Sequence, residues 1–207
     1  MTKRPAALPG RACGECHACC VELLIDTPEF KKAGQKPCEH LSGGRCGIYA
    51  KRFKICREFL CGYLLFPELD EGWRPDKSGI LVLQVAQASL PKAYQDAGHG
   101  IQLLVMGGEA AILRPGFAEY VFGLVQGRVG VYLTAMIPRA MLNQYLEPFV
   151  AAGDLEGTRR TLLHVYRLLT ASGKRQGFLR LLPHLYGLEL EKLRLRLKQK
   201  LKQQLSG

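Results

Sequence analysis

The sequence predicts an α+β fold in three regions, and three observations along the chain support it. Residues 1–76 are punctuated by glycine and proline and contain every cysteine, so this region is expected to fold around its ligands more than around a periodic core. Residues 77–150 mix short apolar runs with amphipathic stretches, which is typical of a small mixed α/β region. Residues 151–207 repeat leucines at helical spacing and predict a basic, helical C-terminal region.

Two short helices are expected in the first region. Asp26 or Thr27 is a candidate N-cap, with Pro28 at the first helical position and Gly34 as the stop. A second helix is expected over residues 49–65, where four side chains recur at helical spacing: Cys56, Phe59, Leu60 and Tyr63. Elsewhere in this region the glycines and prolines predict turns and loops.

The second region is expected to contain both strands and helices. Strands are expected at residues 79–85, 101–106 and 129–133. A helix is expected at 117–125, and a further helix over 138–150, where Pro148 ends or kinks it. The helix at 117–125 is therefore expected to be followed directly by the strand at 129–133.

Helices alone are expected in the third region. A helix over 157–171 carries one apolar face, formed by Leu162, Leu163, Tyr166 and Leu169. A short helical stretch at 178–182 follows two glycine breaks. The helix over 188–205 is amphipathic and carries six cations: Lys192, Arg194, Arg196, Lys198, Lys200 and Lys202.

The charge of the chain is concentrated at its C-terminal end. Residues 158–207 contain 12 Lys and Arg against 2 Asp and Glu, so +10 of the formal net charge of +11 lies there. Packing within the domain or self-association is favoured for this basic amphipathic helix, with contact to a protein partner or to an anionic membrane surface as the alternative. Nucleic acid binding is not favoured, because no aromatic side chains interleave with the cations.

The cellular compartment bears on how the cysteines are used. The N-terminus lacks a hydrophobic run of signal-peptide length, and no stretch approaches the roughly 18 to 20 apolar residues of a transmembrane segment. These features predict a cytoplasmic protein whose thiols remain reduced. Four structural disulfides are therefore not favoured, although the even number of cysteines would permit them.

All eight cysteines lie within the first 61 residues, and none occurs in the 146 residues that follow. The first four read Cys13-Gly-Glu-Cys16-His-Ala-Cys19-Cys20. Thiolates at this spacing can converge on one soft cation within a turn or two of backbone. The sequence therefore predicts a metal-binding protein, with these candidate ligands: Cys13, Cys16, Cys19, Cys20, Cys38, Cys46, Cys56 and Cys61.

Zinc and an iron–sulfur cluster are both compatible with these thiols. A [4Fe–4S] cluster is favoured slightly, because three closely spaced cysteines with a distant fourth are a common way to hold it. Eight sulfurs suit two four-coordinate zinc sites, one or two clusters, or one site with several thiols spare. Cys19 and Cys20 are adjacent and seldom ligate one tetrahedral ion together, so they serve two centres or one of them is spare. His17 and His40 are alternatives to a thiolate, although solvent-facing or sulfur-bonding roles are favoured for both.

Cations and aromatic residues accompany the later cysteines. Lys51, Arg52, Lys54 and Arg57 are near them in sequence. Such cations lower thiolate pKa values and offset the charge of a metal–thiolate centre, while a solvated helix face explains them equally well. Tyr49 and Phe59 are expected to lie in the core rather than to shield a cluster.

Several segments resemble a known family. They are the opening cysteine quartet, Pro37-Cys38-Glu39-His40-Leu41, Cys46-Gly47-Ile48-Tyr49 and Cys56-Arg57-x-Phe59-x-Cys61. They are similar to the YkgJ-type cysteine-cluster family, described as a zinc- or iron-chelating domain, over roughly residues 10–80. Arg52-Phe53 departs from the family's usual Arg-Pro. The resemblance implies metal chelation without defining a reaction.

The enzymatic status of the chain is left open by the sequence, since no Walker-type loop or Gly-x-Ser-x-Gly elbow is present. A related cysteine motif occurs in flagellin lysine N-methylases. The alternative function is therefore an iron–sulfur-dependent oxidoreductase or a protein-modifying enzyme of the lysine-N-methylase type.

Overall fold

A computed structural model describes residues 6–135 and 139–173 of the chain. The chain forms two compact units, Met1–Leu83 and Gln84–Gly207. Helices and strands occur in both, as the α+β prediction requires. No helix within the described ranges is long and apolar enough to cross a membrane. The helices expected at 178–182 and 188–205 lie outside the described residues, so their contact with a partner stays a prediction.

The first unit is built from short elements. Its helices are α1 (Ala18–Glu22), α2 (Lys54–Glu58), α3 (Gly62–Leu65) and α4 (Pro75–Ser78), with 3-10 turns at Tyr49–Lys51 and Glu71–Trp73. Two antiparallel hairpins pair β1 (Ile25–Asp26) with β2 (Lys31–Lys32) and β3 (Leu41–Ser42) with β4 (Arg45–Cys46). Such short elements cannot be stable without tertiary contacts or ligands.

The segment after Asp26 is a hairpin, so the prediction of a helix there is wrong. Asp26 pairs with Lys31, and the Thr27 hydroxyl accepts a hydrogen bond from the Phe30 amide at 3.1 Å. Thr27 and Phe30 also exchange backbone hydrogen bonds, which close the turn. The side chain that suggested a helix cap therefore closes a β-turn, because threonine makes the same local bonds in both settings.

The helix expected over residues 49–65 exists only as three separate pieces. The backbone is extended at Arg52 and Phe53, with ψ of 147° and 151°, and again at Cys61, with ψ of 165°. These breaks separate the 3-10 turn from α2 and α2 from α3. Cys56 and Cys61 therefore belong to different elements, and each is positioned independently.

The largest sheet among the described residues has four strands in the order β5–β6–β7–β8. They are β5 (Ile80–Ala86), β6 (His99–Val105), β7 (Gly130–Thr134) and β8 (Ala140–Met141). β6 and β7 run parallel, with Ile101 opposite Val131, and β7 and β8 run antiparallel. The strands expected at 79–85, 101–106 and 129–133 are confirmed, with shifts of one or two residues at their ends.

Helices of the second unit connect and cover these strands. They are α5 (Gly108–Leu113), α6 (Phe117–Gln126), α7 (Asn143–Ala151) and α8 (Leu155–Gly173), and α8 packs against the other three. The helices expected at 117–125 and 157–171 are confirmed. The one expected over 138–150 is shorter within the described residues, because Ala140 and Met141 form β8, and it continues beyond Pro148 to Ala151.

Two glycines of the second unit provide a matched test of this packing. A Cβ at Gly100 would lie 2.8 Å from the Gly130 carbonyl oxygen and 2.6 Å from Leu90 Cδ2, whereas a Cβ at Gly123 would meet nothing within 4 Å. We expect Gly100→Ala to lower the free energy of unfolding by about 1–3 kcal/mol through overpacking. Gly123→Ala, in helix α6, is expected to raise it by up to about 1 kcal/mol. Urea denaturation measures both, and shifts in the same direction would contradict the packing described.

Candidate metal centre

A cavity of about 740 Å³ in the first unit brings most of the cysteines together. Seven line it: Cys13, Cys16, Cys19, Cys20, Cys38, Cys46 and Cys56. The eighth, Cys61, is buried, with 7% of its surface exposed. All eight are free thiols. Residues 43 positions apart in sequence thus share one cavity, from Cys13 to Cys56.

The opening quartet forms a turn followed by a helix. The Cys16 amide donates to the Cys13 carbonyl at 3.0 Å, and Gly14 between them takes a φ of +57°, which favours glycine. Cys19 and Cys20 follow on helix α1. The Cxx repeat therefore bends the chain back on itself and presents its thiols toward the cavity.

A backbone bond joins the quartet to the next cysteines. The Cys38 amide donates to the Cys20 carbonyl at 2.9 Å, and the Leu41 amide donates to the Cys38 carbonyl at 2.9 Å. Leu41 is paired with Cys46 across the β3–β4 hairpin. Main-chain hydrogen bonds therefore hold Cys20, Cys38 and Cys46 close together.

An aromatic cluster positions Cys56 beside these three cysteines. The rings of Phe30 and Phe53 stack with centroids 4.4 Å apart and an interplanar angle of 9°. The His40 ring lies 5.8 Å from Phe30 and 5.7 Å from Phe53. Since the Cys56 amide donates to the Phe53 carbonyl at 3.0 Å, this cluster fixes the start of α2 against the hairpins. His40 therefore has a packing role that the sequence alone did not indicate.

The other end of the cysteine region is anchored by Arg11. Its guanidinium donates to the carbonyl oxygens of Tyr63 and Phe66, the latter at 2.8 Å, and lies 5.2 Å from the centroid of the Tyr63 ring. These bonds attach the segment before Cys13 to helix α3, which begins directly after Cys61. Cys13 and Cys61 are thereby brought together across 48 positions of sequence.

Backbone amides donate to two of the sulfurs. Cys16 accepts from the amides of Ala18 and Asp76, and Cys61 accepts from those of Tyr63 and Leu64. Burial raises the pKa of both thiols, to about 11 for Cys61, while these N–H donors act in the opposite direction. Such N–H···S bonds favour the thiolate form, which is the form that ligates metals.

The adjacent thiols of Cys19 and Cys20 form a hydrogen-bonded pair. Because the Cys19 thiol donates to the Cys20 sulfur, the pKa of Cys20 is lowered to about 6 and that of Cys19 is raised. The positive side chains of Lys32 and Arg52 lower the pKa of Cys20 further. Cys20 is therefore the sulfur best prepared to act as a thiolate at neutral pH.

Lys32 is a buried cation that the sequence analysis missed. Only 7% of its surface is exposed, and its Nζ donates to the carbonyl oxygens of Val21, Leu23 and Ala33 at 2.8, 2.8 and 2.9 Å. Burial lowers its pKa, and the neighbouring Cys38 opposes that shift. No pattern in the sequence distinguishes Lys32 from the exposed Lys31, because two of the three carbonyls it contacts, those of Val21 and Leu23, lie 11 and 9 positions away.

Among the cations expected near the thiols, Arg52 acts on several of them. Its charge lowers the pKa of Cys13, which burial raises, and it acts in the same direction on Cys56. Arg52 lies 3.6 Å from the centroid of the Tyr49 ring, and Tyr49 is 59% exposed. The prediction that Tyr49 belongs to the core is therefore wrong. Phe59 is half-buried and lines the cavity.

An acidic and basic network adjoins Cys16. The Asp76 carboxylate contacts the Cys16 thiol and is held by Arg74 through hydrogen bonds of 2.7 and 2.8 Å, which lower the pKa of Asp76. Arg74 also donates to Glu71 at 2.9 Å. Asp76 and Arg74 lie at least 58 positions from Cys16, so no local pattern could have placed them there.

The chemistry of these side chains fits a thiolate-bound metal. Free thiols, N–H···S donors and the cations Arg52 and Lys32 are all features that stabilise such centres. Within the described ranges, however, no three His, Cys, Asp or Glu side chains already stand at metal-binding distances. Ligation therefore requires the thiols to move closer to a common point.

Comparison with known proteins identifies no relative: no protein-family model, curated protein or solved structure matches the chain. What can be inferred about function comes from the residues around the cavity.

Proposed function

We propose that the chain is a metal-binding protein that holds zinc or an iron–sulfur cluster through its clustered cysteines. The observation that supports this most directly is that seven free thiols line one cavity in the first unit. Their number and their spacing in sequence both suit soft-metal ligation. The resemblance of residues 10–80 to the YkgJ-type family points the same way and is part of the proposal.

The surroundings of the thiols suit the charge of such a centre. Four thiolates around Zn²⁺, or around a [4Fe–4S]²⁺ core, leave a net charge of about −2. Arg52 and the buried Lys32 lie beside the sulfurs and offset this charge. The amides that donate to Cys16 and Cys61 stabilise the thiolates directly. Bound zinc would crosslink the short elements, and a bound cluster would supply one-electron redox chemistry.

Elemental analysis and an absorption spectrum of protein purified without oxygen test the proposal. Iron with labile sulfide and a band near ~400 nm would identify a cluster, and zinc in a colourless sample would identify a zinc centre. Cys16→Ser is expected to reduce the bound metal, because Cys16 is a proposed ligand. Lys36→Gln, at an exposed residue that does not line the cavity, is the control and should leave the metal content unchanged. Wild-type protein that retains neither metal, even after reconstitution, would refute the proposal.

One observation favours a second candidate, an iron–sulfur-dependent oxidoreductase or protein-modifying enzyme of the lysine-N-methylase type. The cavity has apolar side chains beside the thiols, and two of them are well exposed: Leu24 at 70% and Ile55 at 41%. These apolar side chains would bind an apolar part of a substrate next to a redox centre. A chromophore bleached by dithionite would support this candidate, whereas a colourless zinc protein would exclude it.

A further inference from the structure

We infer that the eight cysteines form two metal sites of four sulfurs each, and that the adjacent residues Cys19 and Cys20 belong to different sites. The first site has the ligands Cys13, Cys16, Cys19 and Cys61. The second site has the ligands Cys20, Cys38, Cys46 and Cys56. This inference rests on the proposed metal binding and adds to it the number of centres and the ligands of each. Each site would take Zn²⁺ or a [4Fe–4S] cluster, since both are bound by four thiolates.

The first site is assembled by the turn of the quartet and by Arg11. The turn places Cys13 next to Cys16 through the 3.0 Å backbone bond, and Arg11 ties this segment to the residues after Cys61. The sulfurs of Cys13 and Cys16 act electrostatically on that of Cys61. They also act on Cys19, one helical turn further along the chain. Cys13 and Cys16 are therefore neighbours of both Cys61 and Cys19, and Cys13 also lies near Cys20, at the boundary with the second site.

The second site is assembled by the hairpin and the aromatic cluster. The 2.9 Å bond between Cys38 and Cys20, and the β3–β4 pairing, hold the first three ligands together. The stacked rings of Phe30 and Phe53 bring in Cys56. Consistently, the sulfurs that act on Cys56 are those of Cys20, Cys38 and Cys46.

Helix geometry explains why the division falls between Cys19 and Cys20. Both lie on α1, and successive side chains on an α-helix point about 100° apart. The two sulfurs are hydrogen-bonded to each other, and the diverging directions of their side chains allow two ions on adjacent sides of the helix to take one sulfur each. Cys19 has the first site's sulfurs as neighbours, and Cys20 is the residue bonded to Cys38.

Paired double variants of the full chain, reconstituted with Zn²⁺ alone under reducing conditions, test this division. Wild type is expected to bind about two zinc ions, one for each set of four thiolates. Cys19→Ser combined with Cys61→Ser should retain about one ion, because both changes fall in the first site, whereas Cys20→Ser with Cys61→Ser should retain about none. When Cys56→Ser replaces Cys61→Ser, the results should be exchanged. Cys20→Ser with Cys56→Ser should then retain about one ion, and Cys19→Ser with Cys56→Ser about none. Native mass spectrometry and elemental analysis count the ions.

The outcomes separate this inference from the proposed function. Wild type that saturates at one zinc ion would overturn the division and leave metal binding intact, and wild type that binds none would overturn both. Equal zinc content in all four double variants would also overturn the division. Cys19 and Cys20 are neighbouring, half-buried residues, so general misfolding would affect both series alike and could not produce the exchanged pattern.

Discussion

Removal of the proposed metal is expected to unfold residues 13–61 while the second unit remains folded. Between Cys13 and Leu60, all of which the structure describes, the only buried apolar residues are Ala18 and Phe30, and the thiols in this range are only half-buried. Helices of five residues and strands of two residues cannot persist in water without other support. A structural zinc site in a comparable peptide supplies about 10–16 kcal/mol, which is ample to order such a segment.

Amide hydrogen exchange with and without a strong chelator measures this effect. Without metal, amides such as those of Cys38 and Cys46, which are hydrogen-bonded or hairpin-paired, should lose their protection and exchange rapidly. Amides of β6 and β7 should keep theirs, because Ile101, Leu103 and Leu133 are fully buried there. Return of protection after metal is added back would exclude irreversible damage by the chelator. Protection of residues 13–61 that is unchanged by chelation would show that the metal is not what orders them.

The elements that sequence reasoning placed correctly are those with a strong local pattern. The apolar runs at β5, β6 and β7 predict strands because their residues are buried on both faces of a sheet, and α6 carries a clear apolar face. The cysteine cluster is equally visible, since its signal is the spacing of one residue type. For these features the local sequence and the tertiary structure agree.

The features that were missed depend on contacts between distant residues. Lys32 is buried because three carbonyls surround its ammonium group, and nothing in its neighbours along the chain indicates this. The grouping of Cys61 with Cys13 depends on Arg11, whose hydrogen-bond acceptors are 52 and 55 positions away. The segment around Thr27 was ambiguous for another reason, since its hydroxyl can close either a helix or a turn. Whether the eight thiols form one site or two could therefore not be resolved from spacing alone.

Asn143→Ala is expected to lower the free energy of unfolding of the second unit by about 4 kcal/mol. The Asn143 side chain is fully buried, its Oδ1 accepts from the Val131 amide at 2.8 Å, and its Nδ2 donates to the Val129 carbonyl at 2.8 Å. Leu142 bonds to the Val131 carbonyl, so Asn143 extends the β7–β8 ladder by one further pair. Alanine would leave the buried Val131 amide and the part-buried Val129 carbonyl without their partner, at about 1–3 kcal/mol each, and would add a small cavity.

Urea denaturation measures this loss, with Gln144→Ala as the control. Gln144 is the exposed amide next in sequence, so its replacement should change the free energy of unfolding by less than about 0.5 kcal/mol. A cost below about 1 kcal/mol for Asn143→Ala would show that water or a backbone shift replaces the two hydrogen bonds.

Asn143→Asp distinguishes the contribution of the Nδ2 donor from that of the Oδ1 acceptor, because the stability of this variant is expected to depend on pH. The new carboxyl would keep the bond from the Val131 amide, but only its protonated form could donate to the Val129 carbonyl. Burial and the facing carbonyl would raise its pKa in the folded state above the value of about 3.9 in the unfolded chain. The free energy of unfolding of this variant should therefore be closest to that of wild type below the unfolded-state pKa. It should fall as the pH rises through the folded-state pKa. A stability difference from wild type that is constant between about pH 4 and 8 would mean that the carboxylate reaches solvent, and that the Asn143 donor contributes little to the fold.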